Sequence, residues 1–113
     1  MYRMDWTNHA LKDADMCKRA GCGEQLTKIL DTVENDPYDP SQSFERLRGD
    51  LKGYCSRRIN RKNRVLYEVL PNTENARDDD GNLYDGIVRV YEAWGHNYKR
   101  PDLKQHPPPP APP

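Results

Sequence analysis

The sequence has few cysteines, no long apolar run and no excess of charge of either sign. Cys17, Cys22 and Cys55 form no CxxC pair and are odd in number, so neither a zinc site nor a disulfide framework is indicated. No stretch approaches the roughly 20 apolar residues of a membrane-spanning helix, and the first residues lack the apolar core of a signal peptide. We therefore expect a soluble cytoplasmic protein that needs no metal or other cofactor.

The charges are balanced in total but strongly separated along the chain. Of 18 basic and 18 acidic residues, eight basic and two acidic residues fall within residues 44–64, which gives this segment a net formal charge of +6. Residues 31–39 and residues 74–85 each carry a net formal charge of −4. A basic segment of this size is typical of a surface that binds the phosphate groups of a nucleic acid.

The apolar spacing changes from helical to alternating midway along the 113-residue chain, which is short enough to form one domain. Two segments with helical spacing, separated by Gly21-Cys22-Gly23 and ended by Asp36-Pro37, predict a helical hairpin. Strands are predicted at residues 2–6, 54–60, 64–70 and 87–94, with a short extended piece at 44–47. The predicted order is βααβββ, an α+β domain.

The end of the chain differs in composition from the rest. Residues 107–113 are six prolines and one alanine, which offer few backbone donors for a sheet and little apolar surface to bury. We therefore predict a folded domain over residues 1–98 and a disordered or polyproline II tail over residues 99–113. The tail can serve as a ligand for an aromatic groove or only as a solubilising end.

Glu45 opens the basic segment and is a candidate general base. A carboxylate can take the proton from a ribose 2′-hydroxyl, and guanidinium groups fixed nearby can hold the phosphate as it gains charge. Metal-free cleavage of RNA needs this combination of groups. The structural alternative for Glu45 is a surface ion pair with Arg46 or Arg48.

Arg58, Arg64 and His96 are candidates for the other catalytic roles. The two arginines flank a short turn between predicted antiparallel strands, so they can converge on one phosphate with bidentate geometry. Both can instead belong to a solvated strand face. His96 follows Trp94 by two residues and can exchange a proton near pH 7, although a lone histidine is more often a structural or surface residue.

Two stretches give the chain a resemblance to the YoeB/Txe branch of the RelE/ParE toxin superfamily. The first contains Gly53-Tyr54, then Ser56-Arg57-Arg58-Ile59, a short turn, and Arg64-Val65-Leu66-Tyr67. The second is Trp94-Gly95-His96. The resemblance covers residues 1–98 and is detailed over residues 44–98.

The resemblance implies a RelE-like fold, a twisted antiparallel sheet packed against the helical hairpin. It also implies the toxin of a type II toxin–antitoxin system, a ribosome-dependent mRNA endonuclease that works without a metal and inhibits translation. In this reading Glu45 is the general base, Arg58 and Arg64 stabilise the phosphate, and His96 acts as an acid or positions the substrate. Further RNA contacts are expected from Arg46, Arg48, Lys52, Arg57, Arg61, Lys62 and Tyr98.

The resemblance implies partners as well. These are the ribosome, mRNA and a cognate antitoxin of the YefM/Axe type or another type, with no membrane, and a homodimer is left open. Here Asn97 separates His96 from Tyr98, whereas the family's tyrosine follows its histidine directly. In a regular strand Tyr98 would therefore point to the opposite face.

Two alternative functions remain open. One is a non-enzymatic ParE-like poison of DNA gyrase, and the other is an inert basic interaction module of the same fold. The presence of both Glu45 and His96 argues against the ParE-like alternative. A further hypothesis is that the acidic segment 74–85 or the tail competes with RNA for the basic segment.

Overall fold

Residues 1–95, which a computed structural model describes, form two helices and a five-stranded sheet. The predicted α+β order is confirmed, and the extended piece near residue 45 is a separate two-residue strand. The elements are β1 (Arg3–Trp6), α1 (Asn8–Arg19), α2 (Gly23–Asn35), β2 (Glu45–Arg46), a 3-10 helix (Gly49–Leu51), β3 (Tyr54–Arg58), β4 (Arg64–Leu70) and β5 (Ile87–Glu92). No helix within these 95 residues is both long and apolar enough to cross a membrane.

The hairpin of α1 and α2 follows from local signals in the sequence. Thr7 caps α1, because its Oγ1 accepts a hydrogen bond of 3.1 Å from the Ala10 amide. Gly21 has a φ of +87°, a left-handed conformation that favours glycine and separates the two helices. The apolar residues of α2 lie on one buried face, so the hairpin packs against one side of the sheet.

The strands lie in the order β1-β5-β4-β3-β2. Three neighbouring pairs are antiparallel, whereas β1 runs parallel to β5, from Arg3 opposite Ile87 to Trp6 opposite Val90. The sheet is therefore mixed, which corrects the expectation of a wholly antiparallel sheet. No hairpin turn fixes the direction of β1 relative to β5, because almost the whole domain lies between them in the chain.

The two faces of the sheet differ in what covers them. The face toward the helices carries the main core, which includes Val65, Tyr67, Val88 and Val90, all at most 1% exposed. The other face, called the open face below, has only a small apolar cluster of Leu66, Tyr91, Leu47 and Tyr54. The exposed residues of this face include Glu45 and Arg58.

The connection between β4 and β5 is folded on itself and tied to the start of the chain. The Asn72 side-chain amide donates to the carbonyls of Ala76 and Tyr84, and the Asp85 amide donates to the Met1 carbonyl at 2.9 Å. This acidic connection leaves the sheet at the end of the seven-residue strand β4, about 20 Å along the strand from Arg64. The connection is thus distant from Arg64, and the hypothesis that it or the tail competes with RNA for the basic segment stays a prediction.

Candidate active site

Glu45 lies on the edge strand β2 with its side chain on the open face. It is directly opposite Ser56 of β3, and Arg58 follows Ser56 by two residues on the same face. One Glu45 carboxylate oxygen, Oε2, lies 3.7 Å from Nη1 of Arg64. The Glu45 side chain is 58% exposed and that of Arg64 only 19%, so the carboxylate is accessible while the guanidinium is held in the sheet.

Two contacts fix Arg64 in place. Its Nη1 donates to the hydroxyl of Ser56 at 3.4 Å, and its backbone amide donates to the carbonyl of Gly95 at 2.8 Å. Ser56 is fully buried, so it is a rigid support for the guanidinium. The second contact brings Gly95, the residue before His96 in the chain, next to the first residue of β4.

Arg58 lies directly opposite Arg64 in the antiparallel pair of β3 and β4. Side chains at such positions have Cβ atoms about 4.5–5.5 Å apart, and two like charges there repel each other. Arg58 is exposed, and its backbone amide donates to the carbonyl of Gln42 at 2.9 Å. Two opposed arginines beside one carboxylate form a place where an anion such as a phosphate reduces the repulsion.

Within residues 1–95, the other exposed basic residues of the segment make no hydrogen bond or ion pair with Glu45, Arg58 or Arg64 and lie in the turn after β3 or near the ends of β2 and β3. Arg61 and Lys62 lie in the turn between β3 and β4, which the Asn60 side chain closes by accepting the amides of Lys62 and Asn63 at 2.9 Å each. The remaining exposed basic residues of the segment are Arg46, Arg48 and Lys52.

Arg57, which we expected to contact RNA, is instead a buried structural residue. Its side chain is 0% exposed. Its guanidinium donates hydrogen bonds to the backbone carbonyls of Ser41, Pro37 and Asp39 and to the Tyr67 hydroxyl. Arg57 thus holds the segment after α2 against the sheet, and the RNA-contact prediction for it is corrected. Its position between Cys55 and Ile59 in the strand alternation was the sequence signal for the buried face.

A polar cluster on the opposite face anchors the end of β5. The Asp13 carboxylate of α1 is 5% exposed and accepts the Ala93 amide at 3.2 Å. His9 Nε2 lies 3.1 Å from Asp13 and 3.9 Å from the buried Glu92 carboxylate. These contacts fix the chain just before residues 94–96, so α1 helps to define where that motif begins.

Two predicted residues, His96 and Tyr98, lie outside the described residues. Sequence reasoning missed Ser56, which supports Arg64, and Tyr38, an exposed aromatic residue beside Arg46. Only the register of β2, β3 and β4 brings Ser56 into the site. Among residues 1–95, no three histidine, cysteine, aspartate or glutamate side chains are grouped so that they could hold a metal ion.

Comparison with known proteins finds toxins that are related to this chain in sequence. No protein-family model matches the chain. Toxin YoeB of Streptomyces coelicolor is 31% identical over 64 residues, which cover 57% of this chain and 69% of that protein. Toxin YoeB of Mycobacterium bovis is 33% identical over 45 residues, 40% of this chain and 53% of that protein. The chain thus spans about half the length of some curated relatives and about two thirds of another.

Solved structures share the fold over nearly their whole length. A YoeB/ParE toxin from Agrobacterium tumefaciens superposes with a TM-score of 0.65 at 23% identity and covers 84% of this chain and 99% of its own. From Staphylococcus aureus, a YoeB dimer and a heterotetrameric YoeB–YefM toxin–antitoxin complex each give a TM-score of 0.61 at 18% identity. These two cover 85% and 86% of this chain and 98% and 99% of their own. These identities establish a common fold.

Proposed function

This chain belongs to the YoeB family of toxins in the RelE/ParE superfamily, and we propose that it is a ribosome-dependent mRNA endonuclease of a type II toxin–antitoxin system. The observation that supports the proposal most is the grouping of Glu45 with Arg58 and Arg64 on the open face of the sheet. The accessible Glu45 carboxylate lies 3.7 Å from the Arg64 guanidinium, and Arg58 is opposite Arg64 on the same face. A reaction that moves a proton and builds charge on a phosphate needs this arrangement.

The first step is activation of the nucleophile by Glu45. Its exposed carboxylate takes the proton from a ribose 2′-hydroxyl, and the 2′-oxygen attacks the neighbouring phosphorus atom. Arg64 keeps Glu45 at the edge of the sheet, because its guanidinium lies 3.7 Å away and is itself held by Ser56. The bond that forms joins the 2′-oxygen to phosphorus.

The second contribution is stabilisation of the phosphate as its negative charge grows. Arg58 and Arg64 face each other across two paired strands, so both can donate to oxygens of one phosphate. Arg64 needs little reorganisation, because a buried hydroxyl and the sheet backbone already fix it. Donors held in advance are worth more in the transition state than mobile ones.

The last step is departure of the 5′-oxygen. The bond between phosphorus and the 5′-oxygen breaks and the leaving oxygen takes up a proton, giving a 2′,3′-cyclic phosphate and a free 5′-hydroxyl. We propose that His96 supplies this proton or positions the substrate, and that Tyr98 contacts the RNA. The hydrogen bond between Arg64 and Gly95 supports this role, because Gly95 directly precedes His96.

We propose that the exposed basic residues bind the mRNA substrate and the ribosome that holds it. Arg46, Arg48, Lys52, Arg61 and Lys62 are exposed, and they supply positive charge for the phosphates of mRNA and ribosomal RNA. Phosphate contacts of this kind position a nucleic acid without reading its sequence.

The proposal includes an antitoxin that covers this surface. The YoeB protein of Staphylococcus aureus is found with YefM and also as a dimer. A cognate antitoxin of the YefM/Axe type or another type would neutralise this toxin by occupying the open face, which carries the exposed residues Glu45 and Arg58. A homodimer is proposed as a second assembly, in the cytoplasm where ribosomes are available.

The test is primer extension on mRNA from cells that briefly express the wild type or Glu45→Gln. New 5′ ends in phase with codons are expected for the wild type and should fall about a hundredfold for Glu45→Gln, since this change removes the proton acceptor but keeps the shape of the side chain. Glu74→Gln is the matched control. Glu74 is 62% exposed and also lies beside an arginine, Arg3, at 4.0 Å, but belongs to the acidic connection.

Three results would contradict the proposal. Toxicity without new 5′ ends would indicate poisoning of another target, as proposed for the ParE-like alternative. Equal cleavage by the wild type and Glu45→Gln would remove Glu45 from the mechanism. A similar loss in Glu74→Gln would show that the assay responds to surface charge in general.

A further inference from the structure

A concave pocket lies at the β2 edge of the sheet, beside the proposed active site. We call it the Tyr38 pocket. Its floor includes Cys55 and Val69, and its rim includes Arg48 and Lys52. It adjoins Glu45 through Arg46, the next residue of β2, which also lines the pocket.

Tyr38 is an exposed aromatic residue whose ring is nevertheless fixed. The residue is 40% exposed, although it is one of the larger apolar groups of the domain. The guanidinium carbon of Arg46 lies 4.3 Å from the ring centroid, and the ring of Phe44 packs edge-to-face at 6.3 Å. A fixed but exposed ring of this kind is suited to stacking with a second planar group.

The charge of the pocket is of one sign. Arg46, Arg48 and Lys52 line it, and none of its lining residues is acidic. Positive side chains that follow a phosphate backbone, combined with aromatic rings that stack bases, are the general chemistry of single-stranded nucleic acid binding. An acidic peptide would form ion pairs with the cations but has no general need for an aromatic ring to stack on.

The path from the proposed active site to the pocket is short. β2 has only two residues and forms the edge of the sheet, with Glu45 facing the open side and Arg46 facing the pocket. Glu45 and Arg46 are consecutive residues on opposite faces, so only the backbone of one edge strand separates the two side chains. An RNA strand that crosses this edge can therefore reach both places at once.

We propose that the Tyr38 pocket binds a nucleobase of the mRNA next to the scissile phosphate, with the base against Tyr38 and Arg46 and the adjoining phosphate held by Arg48 and Lys52. The inference rests on the proposed endonuclease function, because it names the part of the substrate that this second site takes. It assigns Tyr38 a role in binding and not in the chemical step.

The test measures stacking directly with the full-length protein and a short RNA that carries 2′-O-methyl groups throughout, which blocks attack by the 2′-oxygen. A 2-aminopurine base is placed at each position in turn, and its fluorescence is followed as protein is added. We expect quenching at one position for the wild type and for Tyr38→Phe, which keeps the ring. Tyr38→Ala should lose that quenching and bind the RNA about five- to 150-fold more weakly, the range for one base–aromatic stack.

Leu83→Ala is the matched control, because Leu83 is 49% exposed and lies on the acidic connection instead. Its quenching and affinity should equal those of the wild type. The proposal is overturned if the wild type quenches no position selectively, or if Tyr38→Ala and Leu83→Ala behave alike. It is also overturned if Tyr38→Ala leaves RNA binding intact but weakens binding of the antitoxin.

The endonuclease proposal is tested separately by codon-phased cleavage. Selective quenching that depends on Tyr38, without any cleavage, would support the nucleobase pocket and reject the nuclease. Cleavage by the wild type without such quenching would retain the nuclease and reject the pocket.

Discussion

Two adjacent arginines of β3 lie on opposite faces of the sheet, and their environments differ. Arg57 points to the helix-covered face, is fully buried, and donates to three backbone carbonyls and the Tyr67 hydroxyl. Arg58 points to the open face, is exposed, and lies opposite Arg64. The same residue type is therefore a structural support on one face and a candidate catalytic group on the other.

This comparison shows what decides the role of an arginine in this fold. On the covered face, several fixed carbonyl oxygens satisfy the guanidinium and no room is left for a ligand. On the open face, the nearest strand partner of Arg58 is another cation, so an external anion is the group that balances the charge. The four predictions below test this contrast, from the largest expected effect to the smallest.

Arg57→Ala should destabilise the fold by about 3–5 kcal/mol, because three carbonyl groups and the Tyr67 hydroxyl each lose a hydrogen bond from the guanidinium at once and a cavity is left in the core. Arg58→Ala should change stability by less than about 0.5 kcal/mol, as is usual for exposed positions. Urea unfolding of both variants at neutral pH measures the difference. Equal midpoints would show that the two faces are not distinct in this respect.

Arg64→Ala should lower the rate of mRNA cleavage by about a hundredfold, which corresponds to about 3 kcal/mol of transition-state stabilisation. The reason is that Arg64 is the guanidinium already fixed next to Glu45. The measurement is primer extension at matched protein levels, with circular dichroism as the check on folding. An unfolded variant would make Arg64 a structural residue like Arg57.

Tyr67→Phe tests the covered face through pH. Burial raises the pKa of the Tyr67 hydroxyl, which donates to the Pro37 carbonyl at 2.6 Å. Because the folded pKa lies above the unfolded value of about 10, this contribution to stability is complete below pH 10 and is lost as pH rises through the folded pKa. Tyr67→Phe should therefore reduce the fall in unfolding free energy above pH 10 by up to about 1.4 kcal/mol per pH unit.

Urea unfolding at about pH 8 and about pH 10.5 measures this slope for Tyr67→Phe and the wild type. The variant should also be less stable at neutral pH, because Arg57 Nε and the Pro37 carbonyl each lose a partner. An unchanged alkaline slope would mean that other buried tyrosines, such as Tyr91, carry the effect.

Arg61→Ala and Lys62→Ala test the rim of the open face and should have the smallest effects. The slope of log binding constant against log salt concentration is negative, and each change should make it shallower by about 0.7–1, since each removes one phosphate contact with RNA. Lys12→Ala on α1 is the control and should leave the slope unchanged. Identical slopes in all three variants would remove this turn from the RNA surface.

Local patterns in the sequence were enough for the helices and most strands. The capping residue Thr7, the break at Gly21 and the alternation in residues 64–70 each act over a few residues, so their effect could be predicted without the fold. The parallel pairing of β1 with β5 could not, because their partners are more than 80 residues apart and no turn sets their direction.

The candidate site, too, could be predicted from the sequence only in part. The sequence by itself determined that a carboxylate, several arginines and a basic segment are close in the chain, and its motifs were enough to indicate the toxin family. The tertiary structure decided which of these residues meet. Strand register puts Glu45, Ser56, Arg58 and Arg64 on one face and turns Arg57 into the core. The physical reason is that side chains alternate between the faces of a strand, so one residue of register separates an exposed cation from a buried one.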